Sequence, residues 1–498
     1  MANKITPPFY PIIYVRGYAM TPGEIAETVA TPYMGFNLGS TKVRQSWDGK
    51  VSRHIFESPL IRLMKDHDYR DIYSNGTELI GPIAPRSLIV YRYYDAADKD
   101  FGSGKALSIV EAATGLRDLI RRTRDQVCGA NAQARRAFRV HLVAHSMGGL
   151  VCRCFLQNDR VSTAEDRGMV SRVFTYATPH NGIEMLNVNV PSVLGLWDLN
   201  NFNRKKMAGY LGLAGEPDRV DSLDGKFDPN RFFCLVGTNH RDYEVALGAS
   251  RRLAGEMSDG LVKIENATVR GSPRAFAFRS HSGTYGVVNS EEGYQNLVRF
   301  LFGDTRVDGV LDVQSLPLPP SVQKARDQDK EVRASYYFEA TVSPRGAFTY
   351  QLSERRRATN CAVLRTFGEL IGTGRTTNGA TRPPVLFSAF LDSSLRTVGR
   401  SLVFSVELSV STTGYEIERR LALNEYVEGE FLYRNTLAVK AMPTADGWKV
   451  RYVLTDDDWS ENTGTLAEQV GDAFLIPLLS DKGFRGTLRL IVRRENQD

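Results

Sequence analysis

The stretch Arg139-Val140-His141-Leu142-Val143-Ala144-His145-Ser146-Met147-Gly148-Gly149-Leu150-Val151-Cys152-Arg153-Cys154-Phe155-Leu156 decides the reading of this chain. Its first half is a short apolar run suited to a buried strand, and its second half has the composition of a helix. A single serine stands at the turn between them. Strand, serine and helix in that order form a nucleophile elbow, in which a strained turn pushes the serine hydroxyl out at the carboxyl edge of a sheet. The residues two before and two after the serine must be small, because strand and helix nearly touch there. Ala144 and Gly148 meet that demand, with alanine in place of the commoner glycine.

Around the elbow, apolar strands alternate with helices. Pro11–Val15 and Ser87–Tyr93 read as strands before it. Residues 105–127 read as an amphipathic helix with a basic last turn, carrying Leu107, Val110, Thr114, Leu119 and Ile120. Strands follow at 172–176, 231–236 and 274–278, and Asn289 with Glu292 forms a capping box for a final helix carrying Leu297, Phe300 and Leu301. This alternation predicts a mostly parallel sheet flanked by helices over residues 1–303. Leu316-Pro317-Leu318-Pro319-Pro320 and the charged run after it make 304–332 a linker. Beyond it, Tyr336/Phe338/Ala340/Val342, Leu402/Phe404/Val406/Leu408/Val410, Val450/Tyr452/Leu454 and Leu488/Leu490/Val492 alternate with mostly polar neighbours. That period of two predicts an antiparallel β-sandwich of about seven or eight strands over 333–498.

A serine on an elbow needs a base, a carboxylate to orient the base, and amide donors for an oxyanion. Its partners follow in the order acid, then histidine. The chain has seven histidines. His54 and His67 precede the serine, His141 lies within the elbow strand, and His145 is held beside Ser146 on a sharp turn. Of the remaining three, His180 comes one strand too early and His240 lies before the last strand. His281 follows the last strand in Phe278-Arg279-Ser280-His281-Ser282-Gly283 and is the candidate base. Asp242, Glu244, Glu256 and Asp259 are the acids in the preceding loop. Asp259, in the turn Met257-Ser258-Asp259-Gly260-Leu261-Val262, is preferred over Asp242, which topology alone also allows. The oxyanion amides are expected from Met147, directly after the serine, and from Tyr18 after Gly17.

These segments resemble, in order, those of bacterial triacylglycerol lipases and the related GPI inositol-deacylase-like group of α/β-hydrolases. Tyr10–Tyr18 is similar to their strand ending in His-Gly-Leu, and Ala144–Gly149 to their elbow. Ala177–Gly182 is similar to their Ser/Thr-Pro-His-x-Gly loop, and Ser258–Val262 to the segment that supplies their acid, with His281 22 residues beyond Asp259. The resemblance covers residues 9–302 and implies an α/β-hydrolase fold with a Ser146, Asp259 and His281 triad and oxyanion amides from Tyr18 and Met147. It also implies that the loop holding His180 is structural. Arg16 stands where the family has histidine, a departure at the mouth of the oxyanion loop. Residues 183–230 fall where such folds carry a cap or lid, and Val188, Val190, Val193, Leu194, Leu196, Trp197, Leu199 and Phe202 make it apolar. Residues 41–86 form a second insertion near the sheet edge.

The expected activity is therefore a lipase- or phospholipase-type serine esterase in lipid metabolism, needing no metal or organic cofactor. Its expected partners are an acyl-ester substrate and a peripheral membrane contact; for the sandwich, attachment to a membrane or a partner and a purely stabilising role are both compatible with the sequence. A hydrolase of small non-lipid esters or amides and an inert hydrolase fold used for binding are the competing classes. The net charge of +6 on 498 residues is too small for a nucleic-acid footprint, and 42% hydrophobic with 24% charged residues is ordinary for a soluble protein. Five scattered cysteines suit a reducing compartment. The N-terminal residues have no apolar signal core and no run is long enough to span a bilayer, so a cytoplasmic protein is expected, with leader-independent export as the alternative.

Overall fold

The computed structural model describes residues 5–17, 22–45, 50–74, 77–99, 102–185, 188–189, 199–215, 217–241, 257–283, 285–345, 351–355, 363–370, 383–396, 399–418, 424–455 and 464–495. The chain divides into two compact units that meet between Phe302 and Gly303.

The first unit is built on a seven-stranded, all-parallel sheet. In chain order its strands are β1 (Ile12–Val15), β2 (Arg70–Asp71), β3 (Ser87–Val90), β4 (Val140–His145), β5 (Val170–Tyr176), β6 (Phe232–Gly237) and β7 (Arg274–Ala277). Their spatial order is β7-β6-β5-β4-β1-β3-β2. The central strands are buried along their whole length, which is why they read as continuous apolar runs rather than alternating ones. Helix α1 (Ile109–Cys128) packs on α2 (Met147–Gln157), the elbow helix, which lies on β1 and β4. Helix α3 (Glu291–Phe302) packs on β5, β6 and β7. β1 and β4 are neighbours in register, with Val15 opposite Ala144, so the loops leaving them meet at one edge of the sheet.

Three local expectations are corrected. Helix α1 begins at Ile109 after a capping box of Ser108 and Glu111, so Leu107 precedes it and Val110 faces outward. Its buried stripe is Ile109, Ala112, Ala113, Leu116, Leu119 and Ile120, and the basic cluster lies before its last turn. The cap of α3 is Ser290, whose Oγ accepts from the Gly293 amide at 2.9 Å, rather than the box of Asn289 and Glu292. Glu292 is instead taken by Arg279 at 2.9 Å, a pair in which both side chains are largely buried. Residues 304–332 are not a plain linker. They contain an 11-residue strand, Thr305–Ser315, and a helix, Pro320–Asp327. Val307 and Leu311 supply the apolar face that places this strand in the second unit's core, and the prolines mark only the turn after it.

The second unit is all-β and antiparallel. One sheet runs 385–391, 305–315, 485–494, 473–479, 468–470; the other centres on 332–344, 402–417, 431–444 and 447–454. Tyr336, Phe338, Val406, Leu437 and Val450 of the larger sheet share one core with Val307, Phe387, Ile476 and Leu490 of the smaller. The period-two alternation thus marks the inner faces of a two-sheet sandwich, as expected. The strand number is larger than seven or eight, because short pieces such as 353–355, 363–366 and 425–428 extend the larger sheet without a clear apolar pattern of their own.

Histidines held neutral inside the first unit make it acid-labile, His141 and His180 among them. His141 Nε2 donates to the Pro8 carbonyl at 2.9 Å, and burial lowers its pKa from 6.5 to about 3. His180 Nε2 donates to Thr175 Oγ1 at 3.1 Å, since that hydroxyl gives its own proton to the Phe233 carbonyl. Burial and nearby Arg153 push His180 well below its ordinary range. The unfolded chain takes up protons near pH 6.5 while the folded chain does not, so stability is full above that pH and is lost as pH falls below it. By pH 5 each of the two is expected to cost about 2 kcal/mol. His145, beside Ser146, is held low in the same way, so His141→Gln, which keeps a donor without titrating, should remove about a third of the fall in urea midpoint between pH 7.5 and 5; equal falls in variant and parent would reject this account.

Candidate active site

The elbow geometry follows from close packing. Ser146 has φ +52° and ψ −125°, a backbone conformation that L-residues rarely adopt and that persists only where the surroundings impose it. Its amide donates to the Tyr176 carbonyl at 2.9 Å, and its carbonyl accepts from Thr178 Oγ1 at 2.9 Å and from the Gly149 amide at 3.0 Å. A Cβ on Gly148 would lie 2.6 Å from the carbonyl oxygen of Arg16, and one on Gly17 would lie 2.6 Å from Ser146 Cβ. Strand β1, the elbow and the loop after β1 therefore approach to a distance that only glycine permits. Thr178 was visible in the sequence only as part of a Thr-Pro-His loop; its bond to the Ser146 carbonyl was not.

His281 enters from the loop after β7. Its Nε2 lies 2.9 Å from Ser146 Oγ and its Nδ1 lies 2.9 Å from Asp259 Oδ2. All three residues are buried, with Ser146 6% exposed. The backbone holds the pair as well, for the His281 amide donates to the Asp259 carbonyl at 3.0 Å. The other carboxylate oxygen, Asp259 Oδ1, accepts from the amides of Leu261 (3.0 Å) and Val262 (2.7 Å). This is why the acid sits in a Ser-Asp-Gly turn: the chain folds back on itself and caps the carboxylate with its own N–H groups. A serine hydroxyl, an imidazole and a carboxylate in one hydrogen-bonded line can move a proton off the serine and stabilise the imidazolium that results.

Residues 94–207, a span that includes β4, the elbow and β5, match the family described as PGAP1-like alpha/beta domain. The parallel sheet and helices of the first unit form an α/β-hydrolase-like fold. No curated protein matches the chain. Among solved structures, a gene product of Listeria innocua is 11% identical, covering 59% of this chain and 94% of its own, with a TM-score of 0.28. Phospholipase PlaB from Legionella pneumophila is 12% identical, covering 84% and 92%, with a TM-score of 0.33.

Within this α/β-hydrolase fold the other candidate residues are placed as follows. Met147 is buried at the first position of α2, where its amide belongs to the end of the helix that carries no intrahelical partner. Tyr18, the second oxyanion candidate, lies outside the described residues, as do Asp242, Glu244 and Glu256. His180 is remote from the serine hydroxyl in its contacts, bonded to Thr175 and holding Arg153 through its carbonyl. Arg16 donates to the Met34 carbonyl and packs over Gly35, while its own carbonyl accepts from Tyr93 at 2.7 Å. In the expected cap, Phe202 is buried and Arg204–Leu211 is helical; Val190, Val193, Leu194, Leu196 and Trp197 lie outside the described residues. Cys128, Cys152, Cys154 and Cys234 are buried free thiols. Burial raises the pKa of each, so none is poised as a nucleophile. Among the described residues, no helix is long and apolar enough to cross a membrane.

Proposed function

We propose that the first unit is a serine hydrolase that cleaves carboxylic esters through an acyl-enzyme. The line Asp259–His281–Ser146, closed by two 2.9 Å contacts, carries the proposal. His281 Nε2 takes the Ser146 proton as the serine oxygen attacks the ester carbonyl. The oxyanion is held by the amides of Met147 and Tyr18, and the alcohol leaves with the proton from His281. Water, activated by the same imidazole, then adds to the acyl-serine and releases the acid.

The proposed substrate is an acyl ester of lipid type. The apolar composition of residues 183–230 and the resemblance of four segments to triacylglycerol lipases support it. A fluorophosphonate probe should form one covalent adduct, located on Ser146 by peptide mass spectrometry, and Ser146→Ala should lose both adduct and esterase activity. An active Ser146→Ala protein would reject the assignment. A preference for acetyl over long-chain esters would instead move the substrate to small non-lipid esters.

A further inference from the structure

The histidine before the nucleophile contacts the candidate base directly. His145 Nε2 lies 3.0 Å from the His281 carbonyl oxygen, and the two rings stand 5.1 Å apart between centroids. A carbonyl only accepts, so Nε2 carries the proton and the neutral His145 ring has its lone pair on Nδ1. That side of the ring faces the loop after β1, where a Cβ on Gly17 would come 3.1 Å from Nδ1. His145 thus sits among the three segments that make the site: its own elbow, the Gly17 loop and the base loop.

We infer that His145 is a positioning residue, which holds the base loop in register with the nucleophile through its bond to the His281 carbonyl. The inference rests on the triad reading above. The His281 backbone is bonded on both sides: its amide is tied to Asp259 and its carbonyl to His145. Its imidazole has two further partners, Asp259 and Ser146, on opposite edges. Without the bond to its carbonyl, the peptide after His281 loses a tie to the elbow and the ring drifts from the line between carboxylate and hydroxyl. Desolvation and the nearby His281 and Arg16 also keep His145 far below its ordinary pKa, so it adds no second positive charge beside the imidazolium that forms in the reaction.

The test compares His145→Gln, whose side-chain amide can donate to the same carbonyl, with His145→Phe, which keeps a ring and loses the donor. The probe is a medium-chain p-nitrophenyl ester, used on the full chain. His145→Phe is expected to lose about 10- to 100-fold in kcat with KM within twofold. His145→Gln should stay within about fivefold of wild type. Wild-type kcat in His145→Phe, a loss that falls on KM instead of kcat, or a folded His145→Gln protein as slow as the Phe variant would overturn the inference. Should the Phe variant not fold, a folded Gln variant below a tenth of wild-type kcat would do the same. Labelling of wild-type Ser146 by the fluorophosphonate separates the two readings, since its absence counts against the triad and its presence leaves the His145 comparison standing.

Discussion

Asp259→Asn is expected to lower kcat by about four orders of magnitude while leaving the fold intact, an effect of the size that a wrong imidazole tautomer produces. Asp259 uses both oxygens, Oδ1 toward the amides of Leu261 and Val262 and Oδ2 toward His281 Nδ1. An asparagine keeps one oxygen. The two backbone amides are fixed donors within the turn, so the amide oxygen must face them and the NH2 must face His281. Nδ1 then becomes an acceptor, the ring proton moves to Nε2, and that proton points at the Ser146 hydroxyl from which the ring should take one. The size of the side chain and the turn are unchanged, so the melting temperature should shift by only a few degrees. Steady-state kinetics on the same ester, with a thermal melt as control, decides it. A loss of less than about tenfold in kcat would mean that Asp259 does not orient the base, and Asp242 would become the acid to test.

Much of this arrangement was legible before any coordinates. The elbow could be read because each of its requirements falls on a side chain: a strand of apolar residues, small residues flanking the serine, and a helix after it. The place of His281 could be read by elimination, because only one histidine follows the last strand of the sheet, and its ring lies against Ser146 and Asp259. Features that depend on what a residue touches could not be read. Asn289 and Ser290 are both good caps in isolation, and only the bond from Gly293 selects Ser290. The strand 305–315 was hidden by the prolines behind it. It pairs with residues 385–391 and 485–494, far along the chain, and no local pattern announces such pairing. The bonds made by His145 and Thr178 were hidden for the same reason. Each reads as an ordinary residue near a turn, and its partner comes from a different segment.

Arg153 shows the same limit with the larger consequence for stability. In the sequence it is a charged residue on an otherwise apolar helix, yet it is fully buried. Its guanidinium donates to Gln157 Oε1 (2.9 Å) and to the carbonyls of His180 (2.7 Å), Val220 (2.6 Å) and Ser222 (2.8 Å). Burial lowers its pKa to about 10, which leaves it charged at neutral pH. Carbonyl oxygens take the place of a counter-ion in these contacts, and Asp221 adds attraction from nearby. The network continues through Asn181, whose side chain accepts from the Val220 amide at 2.9 Å and donates to Asn266 Oδ1 at 2.9 Å. The elbow helix is thereby tied to the loop after β5, to residues 220–222 and to the segment that follows the Asp259 turn. Arg153→Met should leave the carbonyls of His180 and Val220 and the Gln157 amide oxygen without this donor, while the Ser222 carbonyl keeps Gln157 Nε2, at a cost on the order of 3–5 kcal/mol in unfolding free energy. The expected activity of the fraction that folds is also reduced, because the helix whose first residue is Met147 loses its anchor. Urea unfolding at pH 7.5 and the initial rate per fluorophosphonate-reactive site measure the two effects separately. A cost below about 1 kcal/mol would mean that the carbonyls find water or new partners, and that the arginine does not hold the elbow helix in place.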